Sequence, residues 1–447
     1  MGDIMTEGKI TSVLLKFSFP MILGNLLQQL YNVADTFIVG HYIGTNALAA
    51  VGSAFTLMTF LTSIILGLCM GSGVLFSMLY GAKQEEKMKV SFFVSFVSIA
   101  ALAIILEIFC LVFINQILVF MKVPKDIFSD SYEYLVIIFI GLFFTFLYNY
   151  FSSLLRALGD SKTPLIFLAI AALINVVLDI ALITKFDLGI AGAAIATIIA
   201  QGFSGIGIMI YSLKVRKELI PSRKDCHFDQ EIFKKIKDYS LLTCMQQSVM
   251  NFGILMIQGL VNSFGLVTMS AFSAAVKIDS FAYMPVQDFG NAFSTFIAQN
   301  QGAGLKQRIQ EGLKKAIMIV TIFCLIISAV VFIFADKLML IFIDPAKIDI
   351  ISQGVQYLQI EGICYLGIGC LFLLYGYYRG VGKPGISVVL TVISLGTRVV
   401  LAYALAPVFG TLAIWWAIPI GWFLADLTGI VFGIKKEKWL DKEIKEV

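Results

Sequence analysis

The chain has 447 residues, of which 59% are hydrophobic and only 14% are charged, and its mean hydropathy is +0.90. Soluble domains of any size are far less apolar, so this composition excludes a water-soluble protein and indicates an integral membrane protein. The net charge of +4 is no sign of a nucleic-acid partner, because the distribution of basic residues in a membrane protein matters more than their total.

Apolar segments of about 20 residues or more recur along the chain, which suits spanning helices and is too long for barrel strands of about 10 residues. Runs bounded by charged or turn residues predict twelve spans, at 12–39, 48–80, 90–115, 131–155, 164–184, 189–213, 236–264, 268–301, 314–335, 352–378, 385–406 and 410–434. The predicted fold class is therefore an all-α integral membrane protein. Pro20, Pro285 and Pro419 are expected to interrupt backbone pairing within their spans.

The N-terminal stretch and the cysteines carry no further signal. The opening M-G-D-I-M-T-E-G-K-I is polar and the first apolar run is full length, so no cleavable signal is expected. The seven cysteines are scattered without a C-x-x-C pair, at Cys69, Cys110, Cys226, Cys244, Cys324, Cys364 and Cys370. They are expected to be small buried residues, without a disulfide framework or a metal site.

Basic residues predict the orientation of the chain in the membrane. With both termini on one side, that side receives 26 of the 33 Lys and Arg residues, whereas the opposite loops receive five. The positive-inside rule then places both termini in the cytoplasm of a multi-pass protein of the cell membrane. The linker after the sixth span is especially basic, which topology alone explains, with binding to lipid head groups left as an alternative.

That linker divides the chain into two halves of six spans each. We expect an N-lobe at 1–213, a cytoplasmic linker at 214–235, and a C-lobe at 236–447 that ends in a short basic tail. Because six is an even number, the halves have the same orientation, so the lobes are expected to be related by a pseudo-two-fold axis along the membrane normal. Transporters built in this way bind substrate between the lobes and alternate by rocking.

The two halves also resemble each other in sequence. A gapless shift of 221 residues aligns Gly44 with Gly265, and Y-G-A-K-Q-E-E-K with Q-G-A-G-L-K-Q-R. A shift of 223 aligns R-A-L-G at Arg156 with R-G-V-G at Arg379, each followed closely by a proline. These matches predict an internal repeat rather than a chance recurrence of loop residues.

Polar residues interrupt the apolar spans of the first half. Asn175 and Asp179 are four residues apart, so on a helix they share one face. Counting 1.5 Å per residue, Asp35 and Asp179 lie roughly 8 Å below the outer boundary, and Thr197 and Asn175 about 12 to 13 Å. The four can share one layer, as an oxygen site for a cation such as Na⁺ or as a coupled carboxyl pair that takes protons. The alternatives are a helix end for Asp35 and helix packing for Asn175 and Asp179.

The second half does not copy this layer, since the 221 shift places Met256 opposite Asp35. Asp288 and Glu361 instead share a depth near 13 Å, with Arg398 at about 10 Å. A buried ion pair and a substrate or proton site are both open interpretations of this group.

Substrate would be held by polar and adaptable side chains that lipid-facing positions avoid. The candidates are Gln29, Tyr31, Asn32, Gln246, Asn251, Met256, Gln258, Asp288 and Glu361. Aromatic rings and methionines beside them suit flat or cationic amphipathic compounds through stacking and cation–π contacts.

Several stretches resemble the multidrug and toxic compound extrusion (MATE) family of cation-coupled antiporters. They are F-P-M-I-L-G-N-L-L-Q-Q-L-Y-N-V-A-D-T-F-I-V-G, Y-G-A-K, R-A-L-G-D-S-K-T-P, N-V-V-L-D, G-I-A-G-A-A-I-A-T and R-G-V-G-K-P, in this order along nearly the whole chain. The resemblance implies a cation site at Asp35, Asn175, Asp179 and Thr197, joined by Tyr134 in the fourth span. Some members of the family also have a C-lobe sodium site that includes a glutamate of the seventh helix, whereas the interior of the seventh span here has no acidic residue and only Gln258 near the expected region.

The function implied is the export of small amphipathic or cationic drugs in exchange for H⁺ or Na⁺, by a monomer in the lipid bilayer that has no cofactor other than the coupling ion. A flippase for lipid-linked precursors is the alternative, although only Arg398 and Lys277 lie within spans to hold phosphates. A membrane enzyme is not expected, because the two histidines, His41 and His227, fall in predicted loops.

Overall fold

The computed structural model describes residues 5–217 and 220–435, which contain α-helices and no β-strand. The helices are α1 (Ile10–Tyr42), α2 (Thr45–Gly81), α3 (Glu85–Val112), α4 (Ile114–Phe120), α5 (Lys125–Ile140), α6 (Leu142–Ala157), α7 (Lys162–Thr184), α8 (Gly189–Val215), α9 (Gln230–Asn262), α10 (Leu266–Gly302), α11 (Lys306–Met339), α12 (Ile348–Ile363), α13 (Tyr365–Gly380), α14 (Pro384–Phe409) and α15 (Thr411–Lys435). The predicted all-α class is confirmed.

Each predicted span corresponds to one of these helices or to a bent pair. Within the described ranges, nine helices are long and apolar enough to cross a membrane, and counting each bent pair as one span raises the number to eleven. The remaining predicted span is α10, which has 37 residues and carries Lys277, Asp279 and Asp288. The short α4 connects α3 to α5 and has no counterpart among the predicted spans.

Sharp bends divide two of the spans, at equivalent places in the two halves. The axes of α5 and α6 differ by 44° across Gly141, and those of α12 and α13 differ by 54° across Cys364. Gly141 and Cys364 are 223 residues apart, the same offset that aligns R-A-L-G with R-G-V-G. The helices that contain Pro20, Pro285 and Pro419 continue through them. The sharpest bends of the paired spans therefore lie away from the prolines.

The turns that the sequence aligns also have the same backbone conformation. The φ angle is 56° at Lys83 and 71° at Gly304, which are equivalent under the 221 shift. It is 84° at Gly159 and 80° at Gly382, in the R-A-L-G and R-G-V-G turns. Left-handed backbone of this kind ends helices in a defined way, so the sequence repeat is also a repeat of local structure.

The chain packs into two compact units. Among the described residues, the first unit contains Phe19–Cys244, and the second contains residues 5–18 and 245–435. The chain passes from the first unit to the second within α9. The predicted linker boundary at 214–235 stays a prediction, and the predicted basic tail after residue 435 lies outside the described residues.

In the first unit, α8 lies at the centre of the helices that carry the polar residues. It packs along α7 and against α5 and α6, while α2 packs against α5 and α6. Small residues allow the close approach, since a methyl group at Gly205 would lie 2.7 Å from the carbonyl oxygen of Phe144. Side chains on α5, α7 and α8 are therefore held close to one another by backbone packing.

All seven cysteines are free thiols, and six of them are buried or half-buried. Cys226 is exposed, in the stretch between α8 and α9. This corrects the expectation that every cysteine is buried, and the reason is that Cys226 belongs to the polar linker rather than to a span.

Candidate functional site

The five predicted coupling residues lie close together in the first unit. They come from four helices, with Asp35 on α1, Tyr134 on α5, Asn175 and Asp179 on α7, and Thr197 on α8. All five side chains are buried, and Asn175 and Asp179 have no exposed surface. We call these five residues, together with Tyr31, the coupling layer. Its polar groups have lost their water, so their partners must come from protein or from a bound ion.

Contacts within the coupling layer join α1, α7 and α8. The side-chain amide of Asn175 donates a hydrogen bond to the hydroxyl oxygen of Thr197 at 3.3 Å. The carboxyl groups of Asp35 and Asp179 lie within hydrogen-bonding range of each other. Tyr134 lies within electrostatic range of both carboxyl groups. The structure thus brings together residues that are up to 162 positions apart in the chain.

Tyr31 also belongs to this layer, although the sequence placed it among the substrate candidates. Its hydroxyl lies within hydrogen-bonding range of Thr197, and Asp35 and Asp179 are both close to it. Tyr31 precedes Asp35 by four residues on α1, so the two share a helix face. That spacing was the available signal, and it is the same one that pairs Asn175 with Asp179.

Several oxygen atoms of the layer have no hydrogen-bond donor. Among the described residues, no donor reaches one oxygen of Asp35, the side-chain oxygen of Asn175, or either oxygen of Asp179, and all four atoms are buried. Leaving a buried acceptor unpaired costs about 1 to 3 kcal/mol, and more for a charged group. Two adjacent carboxylates also repel each other when both are ionised. The layer is therefore short of positive charge.

The donor set fits a proton or a hard monovalent cation. Carboxylate, amide and hydroxyl oxygens are ligands that hard cations prefer, whereas transition metals favour histidine and cysteine. In the part of the chain that the structure covers, no group of three or more His, Cys, Asp or Glu residues could hold a metal ion. Only two carboxylates are present, so a singly charged ion is the better electrostatic match.

In the second unit, Glu361 lies within electrostatic range of Asp279 and Arg398. The hydroxyl of Tyr357 donates to Asp279 at 3.4 Å. Glu361 is fully buried, and neither of its carboxyl oxygens has a hydrogen-bond partner among the described residues. No ion pair within 4.0 Å joins Arg398 to either acid in that part of the chain. Of the two interpretations of this group, the structure therefore does not show the ion pair, and the substrate or proton site stays a prediction.

The sequence paired Glu361 with Asp288 and missed Asp279. Asp288 is buried on α10, but it lies nine residues beyond Asp279, which is about 13 Å along the helix axis. Depth counting failed here because it assumes straight helices, whereas the span that contains Glu361 bends by 54° at Cys364, three residues beyond Glu361. Residue number therefore does not measure depth in this span.

The remaining substrate candidates have different surroundings. Gln246 lines a cavity in the second unit. Asn251 donates a hydrogen bond to the carbonyl oxygen of Gln247 at 3.2 Å, and Gln258 donates one to the side-chain oxygen of Asn262 at 2.8 Å, so both bond within their own helix. The carbonyl oxygen of Met256 accepts a hydrogen bond from the hydroxyl of Tyr403 at 3.2 Å. Gln29 and Asn32 are half-buried on α1. Their role in substrate binding stays a prediction.

A family model supports the internal repeat. The model described as MatE matches residues 20–181 and again residues 241–404. The two matches begin 221 residues apart, the offset that aligns the two halves of the sequence. The predicted repeat is therefore confirmed, and each half contains one copy of the family's domain.

Curated relatives and solved structures cover nearly the whole chain. The Probable multidrug resistance protein YpnP of Bacillus subtilis (strain 168) is 32% identical over 87% of this chain and 86% of its own length. The Multidrug export protein MepA of Staphylococcus aureus (strain NCTC 8325 / PS 47) is 22% identical, with 95% and 94% covered. A crystal structure of MATE in the bent conformation has a TM-score of 0.92 at 22% identity, covering 99% of this chain and 98% of that one, which shows the shared fold. Because the family model matches both halves of the chain and YpnP is 32% identical to it, the chain belongs to the MATE family of multidrug efflux transporters.

Proposed function

We propose that this protein is a secondary active antiporter that exports amphipathic, mostly cationic compounds in exchange for H⁺ or Na⁺ by alternating access. Relatives named for multidrug resistance and multidrug export support drug export as its role. The observation that carries ion coupling is the set of four buried acceptor oxygens in Asp35, Asn175 and Asp179 that no donor reaches among the described residues.

Coupling follows from the position of these oxygens on different helices. A cation that enters the layer removes the repulsion between Asp35 on α1 and Asp179 on α7, and it supplies the partner that the oxygens lack. The filled layer therefore favours close packing of these helices, and the empty layer disfavours it. An ion shifts the balance between outward-facing and inward-facing states only if its affinity differs between them, and such a change in packing provides that difference.

The two candidate ions would use different parts of the layer. A proton would bridge the carboxyl groups of Asp35 and Asp179, which already lie within hydrogen-bonding range. A sodium ion needs more oxygen ligands, and Asn175 and Thr197 are the adjacent neutral ones. Substitutions at the neutral residues therefore separate the two ions, whereas substitutions at the carboxylates affect both.

The decisive experiment measures efflux of a fluorescent cation from proteoliposomes under a sodium gradient alone and under a proton gradient alone. We expect at least one gradient to drive efflux by the wild type, and Asp179→Asn to abolish that response. Glu107→Gln is the matched control, since Glu107 is an acid in a spanning helix outside the layer that accepts a hydrogen bond from the backbone N–H of Phe143 at 3.1 Å. Ion-driven efflux that survives Asp179→Asn would rule out this site.

A further inference from the structure

Arg379 is a buried cation without an anionic partner. Its side chain is 4% exposed, and it lies in the last turn of α13. No carboxylate comes within 4.0 Å of it in residues 5–217 and 220–435. The C-terminus of a helix carries a partial negative charge, which compensates only part of a full positive charge. Burying an unpaired charge is costly, so this guanidinium needs an explanation.

The hydrogen bonds of Arg379 use only part of its capacity. Its Nε–H donates to the hydroxyl oxygen of Ser294 at 3.1 Å, and one Nη2–H donates to the side-chain oxygen of Asn291 at 2.7 Å. Both partners are neutral residues of α10. A guanidinium has five N–H groups, so three remain for which the described residues offer no acceptor.

The same arginine lines a small, partly open cavity in the second unit. Gln246 and Gln287 contribute neutral amides to its wall, and Phe372 contributes an aromatic ring. The side-chain oxygen of Gln246 is buried and accepts no hydrogen bond from a described residue. The cavity thus combines a desolvated positive charge, the unused N–H donors of Arg379 and a partly apolar wall.

We propose that this cavity binds the oxyanion of an amphipathic ligand, a carboxylate or a phosphate, through the free edge of the Arg379 guanidinium. Planar guanidinium groups match carboxylate and phosphate oxygens in a two-point geometry, and the desolvated setting strengthens the contact. The R-G-V-G-K-P turn that follows Arg379 is on the predicted cytoplasmic side, where an exporter takes up its ligand. The inference rests on the proposed function only in assigning the ligand to export.

The test measures binding to the purified full-length protein in detergent, without any ion gradient. One arm titrates rhodamine B and its ethyl ester by fluorescence polarisation, because the two dyes differ only in the free carboxylate. The other arm titrates dioctanoyl phosphatidic acid and dioctanoyl phosphatidylcholine by calorimetry. We expect the wild type to bind at least one anionic probe about tenfold or more tightly than its matched control, the gain typical of a charge-assisted hydrogen bond.

Two variants separate a binding role from a structural one. Arg379→Gln should remove the preference for the anionic probe. Asn291→Asp keeps the tie between α10 and α13 but supplies an internal carboxylate 2.7 Å from the guanidinium, so it should also remove the preference while the protein stays folded. Lys277→Gln removes a positive charge from an exposed side chain of the same unit and should leave binding unchanged.

Each outcome has a definite meaning. A preference for rhodamine B that both variants abolish assigns the site to a substrate carboxylate, and the same result with phosphatidic acid alone assigns it to a lipid phosphate. If neither anionic probe is preferred by the wild type, or if the preference survives Asn291→Asp, the proposal is wrong and Arg379 only ties the two helices together. Because no gradient is applied, this result is independent of whether the coupling layer drives transport.

Discussion

At the scale of single residues, the chemistry of the coupling layer comes from what its side chains lack. Asn175 uses its amide group to reach Thr197, which leaves its oxygen free beside the two carboxyl groups. Asp179 is fully buried and receives no donor among the described residues. A layer built to stabilise the fold would pair these atoms, because unpaired buried acceptors are destabilising. This shortage of donors supports the proposed reversible binding of an ion.

The neutral ligands should distinguish sodium from protons. Thr197→Val removes the hydroxyl oxygen and preserves the side-chain shape, so we expect the sodium concentration for half-maximal efflux to rise about tenfold, as for the loss of one polar contact. The proton concentration for half-maximal efflux should change by less than about twofold. The measurement is dye efflux from proteoliposomes against the concentration of each ion. Thr197→Ser is the control, and an equal loss in Thr197→Ser and Thr197→Val would contradict a ligand role for the hydroxyl.

At the scale of helices, close backbone packing determines which side chains can meet. In the second unit, α10 and α13 approach so closely that a methyl group at Gly376 would lie 2.3 Å from the carbonyl oxygen of Gly290. The same two helices carry Asn291, Ser294 and Arg379, so this approach allows the guanidinium to reach both of its partners.

A methyl group at this crossing should separate the two helices. Gly376→Ala should lower the free energy of unfolding by about 1 to 3 kcal/mol, the usual cost of overpacking. Gly396→Ala, on α14, is the matched control, because no heavy atom lies within 4 Å of the added carbon. Thermal unfolding in detergent measures both variants. Equal melting temperatures for the two would show that the helices adjust without cost.

Close packing also bears on where the two bent spans change direction. A methyl group at Gly141 would lie 2.9 Å from a side-chain carbon of Ile198 on α8, so glycine permits the bend between α5 and α6 to pack against α8. The bend between α12 and α13 occurs without glycine, at Cys364. The position of the bend is thus shared by the two halves, whereas the residue that occupies it is not.

At the scale of the whole molecule, the distribution of basic residues predicts that the linker and both termini face the cytoplasm. Natural residues permit a direct test, because Cys226 is exposed between α8 and α9, whereas the other six cysteines are buried or half-buried. In addition, Lys185 is exposed on the opposite side of the predicted topology, between α7 and α8.

Labelling with a membrane-impermeant maleimide should report this orientation. We expect Cys226 to react only after the cells are permeabilised, because the reagent cannot cross the membrane to the cytoplasmic side. A Lys185→Cys variant made in a Cys226→Ser background should react in intact cells. The readout is the mass shift of the purified protein, and labelling of Cys226 in intact cells would reverse the predicted topology.

Local patterns determined much of this protein from the sequence alone. Apolar run length identifies spanning helices because the bilayer has a fixed thickness. The repeat is visible because equivalent turns need the same residues, as at Gly159 and Gly382 with their left-handed backbone. The i, i+4 spacing of Asn175 and Asp179 predicted their shared helix face, depth counting added Asp35 and Thr197, and the family resemblance supplied Tyr134.

Only the tertiary structure decided which distant side chains meet. It placed Tyr31 in the coupling layer, brought Glu361 near Asp279 rather than Asp288, and left Arg379 without an acidic partner among the described residues. These outcomes depend on helix bends and on the distances between helices, which residue number does not measure. The shared face of Asn175 and Asp179 was therefore readable along the chain, because it follows helix periodicity, whereas the unpaired oxygens and the unpaired guanidinium became apparent only when the helices were packed.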